Sequence, residues 1–319
     1  MAEPDQKSDQ VCWLEEKLQR PLWLCQTDDV LGWENRKCYT LDIDGNITGL
    51  NVASCEISDW SFLGELSELT SLDLSFNTIY DGAFLSTLTD LTNLNIRNNW
   101  ISDWSFLRKL TSLKRLNLSS ALNADSSFLN ELKDLKDLRT LNLRNNSISD
   151  WSFLDELPYL SSLNVSNTSI SDGAFLSKLA RLVSLEIADN TISDWTFLSE
   201  INGLKNLVMN GDGISDWSFI SPLSGLSILD LSGNSISDGS FLSEMTNLTN
   251  LDLSLNSITD GAFLRELSEL SNLNLSGNSI SDCTFLSELS SLALKQAFGL
   301  LGMCRSDARS GWSRHLCAG

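Results

Sequence analysis

Apolar and polar residues alternate along this chain in a phrase that returns every 22 residues. It is plainest at Leu248–Leu267, LTNLDLSLNSITDGAFLREL, and nearly repeats at Leu270–Leu289 and Leu226–Met245. Aligning the phrase on its aspartate gives a ladder: Asp59, Asp81, Asp103, Asp125, Asp150, Asp172, Asp194, Asp216, Asp238, Asp260 and Asp282. Every step is 22 residues except that from 125 to 150, which is 25, with an extra leucine step inserted in LKDLKDLRTLNL. Self-similarity at this period predicts a solenoid of stacked units, each too small to bury its own apolar face.

Each unit opens on a Leu-x-Leu alternation, such as Leu94 and Ile96 after Leu91, the period of a half-buried strand. An asparagine follows at Asn77, Asn99, Asn146, Asn190, Asn234, Asn256 and Asn278, replaced by Cys55, Ala121, Thr168 and Asp212 in the other units. A side-chain amide donates and accepts, so stacked asparagines can satisfy turn backbone that would otherwise be buried unpaired; Ala121 predicts a local defect. Then comes Ile-Ser-Asp before Phe-Leu-x-x-Leu, a helix-start signal in a segment too short for a regular α-helix, which predicts a 3₁₀ turn.

The pattern LxxLxLxxNxIxDxxxLxxL resembles the leucine-rich repeats of the 22-residue class found in bacterial internalins and in a regulatory subunit of protein phosphatase. The resemblance covers about Leu50 to Leu289. It implies an α/β repeat solenoid, right-handed and curved, with a parallel β-sheet on the concave face, 3₁₀ turns on the convex face and ligands docking on the concave sheet. The scaffold hosts many partners, so the resemblance specifies fold and not ligand.

The ends differ from the array. VCWLEEKLQR, residues 11–20, places Trp13, Leu14 and Leu18 at helical spacing and predicts a short amphipathic helix covering the end of the array, joined by Trp23 and Trp33. Two alternating runs flank Asp44-Gly45, a hairpin signal leading into the first repeat strand. This entry, with Trp33, Cys38 and the Gly45–Leu50 run, resembles the N-terminal caps of secreted leucine-rich-repeat proteins. After Leu289 the phrase fails: SSLALKQAFGLLGMC offers a last strand, and the basic residues from Arg305 onward read as a loose tail. The expected organisation is an N-terminal cap over 1–40, a solenoid over 41–292, and a C-terminal cap and tail over 293–319. Trp and Gly alternate after the ladder aspartate (Trp60, Gly82, Trp104, then Trp151, Gly173, Trp195), predicting that a large ring folds over its neighbour's small residue.

The net charge of −20 argues against nucleic acid and anionic membranes, and no apolar run reaches membrane-spanning length. The only histidine is His315, in the tail, and no C-x-x-C or phosphate loop occurs, so triads and zinc sites have no basis in the array. The aspartate ladder could ligate calcium, but capping accounts for every rung and the D-x-D-x-D-G arrangement is missing. No catalytic residue, metal or cofactor is expected, and the four Asn-x-Ser/Thr sequons weighed follow from the repeat's own composition. Seven cysteines cluster at the two ends, as in disulfide-stapled caps, while the leaderless start MAEPDQKSDQ favours reduced thiols and a cytoplasmic location; a removed leader would instead place the protein outside the cell or at its surface.

What remains is the outward side of the strands. Units three to five present Arg97, Arg115 and Arg144 among Asn95, Asn117 and Asn142, with Asn164 following in unit six, whereas units seven to ten present Glu186, Asp230 and Asp252. Such a basic and acidic division can orient a charged protein partner. The expectation is a non-enzymatic scaffold binding a protein on this face, the alternatives being a secreted or surface adhesin or receptor and a cytosolic regulatory subunit.

Overall fold

The computed structural model describes residues 7–25, 30–31, 37–121, 127–211, 213–214, 216–289, 291–292 and 297–298. The chain divides into two compact units, residues 1–164 and 165–319.

The first unit begins with α1 (Asp9–Leu18), whose N-cap Ser8 accepts from the Val11 N–H and whose buried face is Val11, Leu14 and Leu18. Trp13 sets its ring edge-on against Phe62 of the first repeat, centroids 6.1 Å apart. The helix is tied to the first repeat by the Ile47 N–H donating to Gln10 Oε1 and by Arg20 Nη2 donating to the Cys55 carbonyl at 3.0 Å. Trp23, in contrast, is 63% exposed and takes no part in this cover; Trp33 lies outside the described residues.

Strand β1 (Trp23–Leu24) pairs in parallel with β2 (Cys38–Leu41), and β2 forms an antiparallel hairpin with β3 (Ile47–Asn51). The connection is five residues long, and Asp42 Oδ1 organises it by accepting from the N–H groups of Asp44 and Asn46. Cys25 and Cys38 form a disulfide, which corrects the expectation of reduced thiols; Cys12 and Cys55 are free. The pairing holds β1 beside β2, a juxtaposition that cysteine spacing alone does not reveal. The three-residue strands β4 (Ser71–Asp73), β5 (Asn93–Asn95), β6 (Arg115–Asn117), β7 (Thr140–Asn142) and β8 (Ser162–Asn164) continue the sheet in parallel. The inserted leucine step falls in the turn Ser127–Asp134, eight residues against the usual five, and buries Leu132.

The second unit repeats the plan with β9 (Ser184–Glu186), β10 (Asn206–Val208), β11 (Ile228–Asp230), β12 (Asn250–Asp252), β13 (Asn272–Asn274) and β14 (Ala297–Phe298), all parallel and in sequence order. Cys283 is also disulfide-bonded, to a partner outside the described residues. The tail expected from Arg305 onward lies outside them as well.

Within each unit the asparagine rung does what its chemistry suggests. Asn256 Nδ2 donates to the carbonyls of Leu231 and Leu253, each at 3.0 Å, while its Oδ1 accepts from the N–H groups of Asn234 and Ile236. Asn99 repeats this in the first unit with the Leu74 and Ile96 carbonyls and the Ile79 N–H. Each amide thus closes its own turn and ties it to the preceding repeat. Ala121 is buried and cannot form these bonds; residues 122–126 beyond it lie outside the described set.

The aspartate ladder caps the turns. In every described rung Oδ1 accepts from the N–H two residues on, for example Asp59 from Ser61 and Asp216 from Ser218, both at 2.9 Å. These backbone bonds, with help from the following hydroxyl, hold Asp59, Asp103, Asp150, Asp216 and Asp282 below the usual carboxylate range; at Asp194 the Thr196 hydroxyl contributes most. The sign follows directly: a depressed folded-state pKa contributes stability above the unfolded value of about 3.9, lost as the pH falls through the folded one.

The Trp/Gly alternation is a packing device, with one correction. The ring that covers the glycine is the phenylalanine of the next repeat and not a tryptophan. A Cβ on Gly82 would fall 2.6 Å from Phe106 Cε1, and one on Gly173 would fall 2.3 Å from Phe197 Cε1. The tryptophans stack alongside, Trp104 on Phe128 at 4.8 Å and Trp217 on Phe241 at 5.6 Å between centroids. Gly173 has an ordinary backbone φ of −93°, so its constraint is purely steric. Gly173→Ala is therefore expected to destabilise the fold by about 1–3 kcal/mol in urea unfolding. Combining it with Phe197→Leu should cost less than the sum of the two single changes, because the smaller side chain vacates the space the methyl needs.

Candidate functional site

The side chains flanking each inward strand leucine form the outward side of the sheet. One flanking position is Asn51, Asp73, Asn95, Asn117, Asn142 and Asn164 in the first unit, and Glu186, Val208, Asp230, Asp252 and Asn274 in the second. Most of these side chains have a local task. Oδ1 of Asn95, Asn117 and Asn142 accepts from the N–H of Arg97, Ser119 and Arg144 at 3.0–3.2 Å. Asp230 and Asp252 do the same for Ser232 and Ser254 at 2.8–2.9 Å. Asn and Asp recur here because a short acceptor is needed to hold the chain as it leaves the strand.

In the first unit the outward side is closed over β3 and β4. Asn51 Nδ2 donates to the Val30 carbonyl at 3.0 Å, Lys37 Nζ donates to the Ala53 carbonyl, and a Cβ on Gly49 would lie 2.8 Å from Val30 Cγ1. Asn51 and Asp73 are buried in consequence. Burial pushes the Asp73 carboxyl above its ordinary range, despite bonds from Ser75 and from Asn95 Nδ2 at 3.1 Å.

The open part of this unit begins at Asn95. Arg97 and Arg144 stand two positions beyond Asn95 and Asn142, and Arg115 is the first residue of β6 itself; all three are exposed. Arg97 holds its guanidinium 4.9 Å from the Phe76 ring centroid and makes no ion pair among the described residues. Asn95, Asn117 and Asn142 are half-buried beside them, and Asn164 is buried. The second unit holds Glu186 on β9, Asp230 on β11 and Asp252 on β12, all half-buried, with Asn274 Nδ2 donating to Asp252 Oδ2 at 2.9 Å. The structure thus collects the basic set in one unit and the acidic set in the other.

Exposed aromatics of the first unit that lie outside the residues selected from sequence include Tyr159 and, in two adjacent repeats, Phe76, Tyr80 and Trp100. For Phe76, Tyr80 and Trp100 the sequence carries a signal: each stands where most other repeats have a small or polar residue. Among the described residues no cluster of His, Cys, Asp and Glu is arranged to hold a metal ion, and no helix is long and apolar enough to cross a membrane.

Comparison with known proteins fixes the class. A family model described as Leucine Rich repeat matches residues 67–82 and 244–262. An internalin, InlF, of Listeria monocytogenes is similar over 77% of this chain and 72% of that one, at 32% identity and a TM-score of 0.63. A leucine-rich-repeat protein of Leptospira interrogans is similar at 22% identity and TM-score 0.58, over 73% of this chain and 61% of that one. The ectodomain of the Arabidopsis receptor kinase HAESA, solved with a peptide hormone ligand, aligns over 75% of this chain and 44% of its own at 23% identity and TM-score 0.56. The last two show the fold alone. No curated protein matches by sequence. The chain belongs to the leucine-rich-repeat family and is of internalin-like type. Proteins of this type are non-enzymatic scaffolds for protein–protein interaction.

Asp73 gives a direct check on the closed part of the face. Asp73→Asn installs the residue found at positions 95, 117 and 142; it keeps the acceptor for Ser75 and removes a desolvated charge, which outweighs the loss of the bond from Asn95 Nδ2. It is expected to stabilise the protein at pH 7 by about 0.5–2 kcal/mol in chemical unfolding. Because the folded pKa is raised, the wild-type penalty is full above it and disappears as the pH falls. The gain should therefore shrink in acid; a gain independent of pH would contradict the account.

Proposed function

We propose that this protein binds a protein partner through the outward side of its sheet, with Arg97, Arg115 and Arg144 of the first unit receiving acidic side chains of that partner. The observation that carries this reading is the placement of three exposed guanidinium groups on one unit of a chain whose net charge is −20. Where the chain as a whole repels anionic surfaces, a local basic region selects and orients an acidic one. Asn95, Asn117 and Asn142 flank the arginines as half-buried amides, whereas Asn164 is buried and lies below the contact surface. Glu186, Asp230 and Asp252 supply the complementary preference in the second unit.

The Cys25–Cys38 disulfide favours the secreted or cell-surface form of this role over that of a cytosolic regulatory subunit, because such bonds persist in oxidising compartments. The peptide hormone bound to the HAESA ectodomain illustrates the kind of ligand this scaffold can take.

The test is capture of surface and extracellular proteins on immobilised protein, followed by affinity measurement with the captured partner. Arg97→Glu, Arg115→Glu and Arg144→Glu combined should weaken binding at least tenfold and reduce its salt dependence while leaving the unfolding midpoint near wild type. Unchanged affinity in the triple variant would overturn the proposal.

A further inference from the structure

The residue that closes each strand exit adopts a left-handed backbone. In the first unit it is Ser54, Phe76, Asn98, Ser120 and Asn145, with φ between 51° and 59°. The second unit places Asn167, Asp189, Gly211, Gly233, Leu255 and Gly277 there, again with positive φ. Glycine, asparagine and aspartate tolerate this conformation, whereas a bulky residue is a genuine outlier in it. Phe76 in the first unit and Leu255 in the second are such outliers, and both are exposed, 48% and 70%, instead of packed in the core; of the two, Phe76 carries the aromatic ring and the cation above it. A residue that is strained and also solvent-facing points to a task outside the fold.

Two more aromatics stand beside it. Tyr80 occupies a position that is Ser, Thr or Ala in all ten other repeats. Trp100 occupies one where, Leu122 apart, the others have Ser, Thr, Gly or Glu. They are 64% and 54% exposed. Backbone bonds bring the two repeats together: the Phe76 N–H donates to the Arg97 carbonyl at 2.9 Å, Trp100 to Ile79 at 3.0 Å, and Ser102 to Tyr80 at 3.2 Å. Arg97 stands over the Phe76 ring, so two adjacent repeats carry four exposed residues of the kinds enriched at interfaces.

From this we infer that Phe76, Tyr80, Arg97 and Trp100 form a binding hot spot at the strand-exit edge of the first unit, whose occupant is an acidic polypeptide segment of another protein carrying an aromatic or large aliphatic side chain. The apolar side chain packs on Phe76 and Trp100, and a neighbouring carboxylate pairs with Arg97, whose only other partners among the described groups are the Phe76 ring and backbone. The acidic character follows from Arg97, the exposed cation held over the Phe76 ring. This inference rests on the protein-binding reading above, shares Arg97 with it and adds Phe76, Tyr80 and Trp100, which that reading does not use.

The experiment measures fluorescence anisotropy of two labelled synthetic peptides against the full chain. One alternates glutamate with tryptophan; the other has alanine in place of tryptophan. The variants Phe76→Asn, Tyr80→Ser and Trp100→Ser, combined, install residues the other repeats use, and Arg97→Ser is made separately. Wild type is expected to bind the tryptophan peptide at least tenfold more tightly than the alanine peptide. The combined variant should lose that preference, and Arg97→Ser should weaken binding at least fivefold and flatten its salt dependence. The melting temperature of the combined variant should stay at or above wild type, since a strained residue has been relieved. No preference in wild type, or preference kept by the combined variant, overturns the inference. A lowered melting temperature would assign the aromatics to packing and overturn it too, as would concentration-dependent dimerisation that only the combined variant abolishes, by making a second copy the occupant. If the arginine reversals above abolish partner binding while the aromatic substitutions do not, this inference fails and the broader reading stands; if neither matters, both fail.

Discussion

A chain that turns out of a strand inside its own apolar core carries N–H and C=O groups that water cannot reach, and each must find a partner within the protein. In seven of the eleven repeats of this molecule a single asparagine side chain meets most of that demand. The asparagine rung donates to a carbonyl of its own turn and to one in the preceding repeat, and accepts from N–H groups of that repeat. An unsatisfied buried group costs about 1–3 kcal/mol, and several hang on each amide. The bonds also fix the stacking distance, so the leucines of adjacent repeats fall into contact because the polar turn places them there. Stability is in this sense a property of pairs of repeats.

The rest of the repeat follows from that spacing. Aspartates outside cap the 3₁₀ turns, and a phenylalanine from each following repeat fills the space left by Gly82, Gly173, Gly239 and Gly261. With core and turns satisfied by recurring residues, the outward side of the strands is where composition can vary at least cost. Even there the freedom is partial, since the Asn and Asp beside the strand leucines hold the exit of the chain. Exposed residues that depart from the repeat, Phe76, Tyr80 and Trp100 with Arg97 over the Phe76 ring, carry the argument for binding.

The repeat, its 3₁₀ turns, the capping role of the aspartates and the asparagine rung were legible because each is local and recurs; a pattern seen many times averages out its exceptions. The hairpin and α1 were legible for a similar reason, each having its signal within a few residues. What was missed depends on folding across sequence. The Cys25–Cys38 pairing exists only once β1 lies against β2. Trp23 looked like a cover residue by composition, yet its strand leaves it in solvent. Asp73 resembles its neighbours in sequence and differs only because the segment around Val30 and Lys37 lies over it. The glycines are covered not by the tryptophan beside the aspartate, which the alternation points to, but by the phenylalanine two positions later, whose ring reaches back a full repeat. Phe76, Tyr80 and Trp100 were visible as departures from the repeat, but only exposure and the left-handed backbone of Phe76 separate them from ordinary core aromatics.

The central claim is that the buried amide, more than apolar contact alone, locks one repeat to the next. Hydrogen exchange at the Ile236 and Ile258 amides tests it most directly, because their acceptors are Oδ1 of Asn256 and Asn278 in the following repeat. The account predicts that these amides exchange as slowly as the strand amide of Leu231, which bonds to the Asp252 carbonyl, and that Asn256→Ala speeds exchange at Ile236 and lowers the unfolding midpoint. Exchange at Ile236 as fast as at the exposed capped amide of Ser240, or an Asn256→Ala protein as stable as wild type, would contradict it.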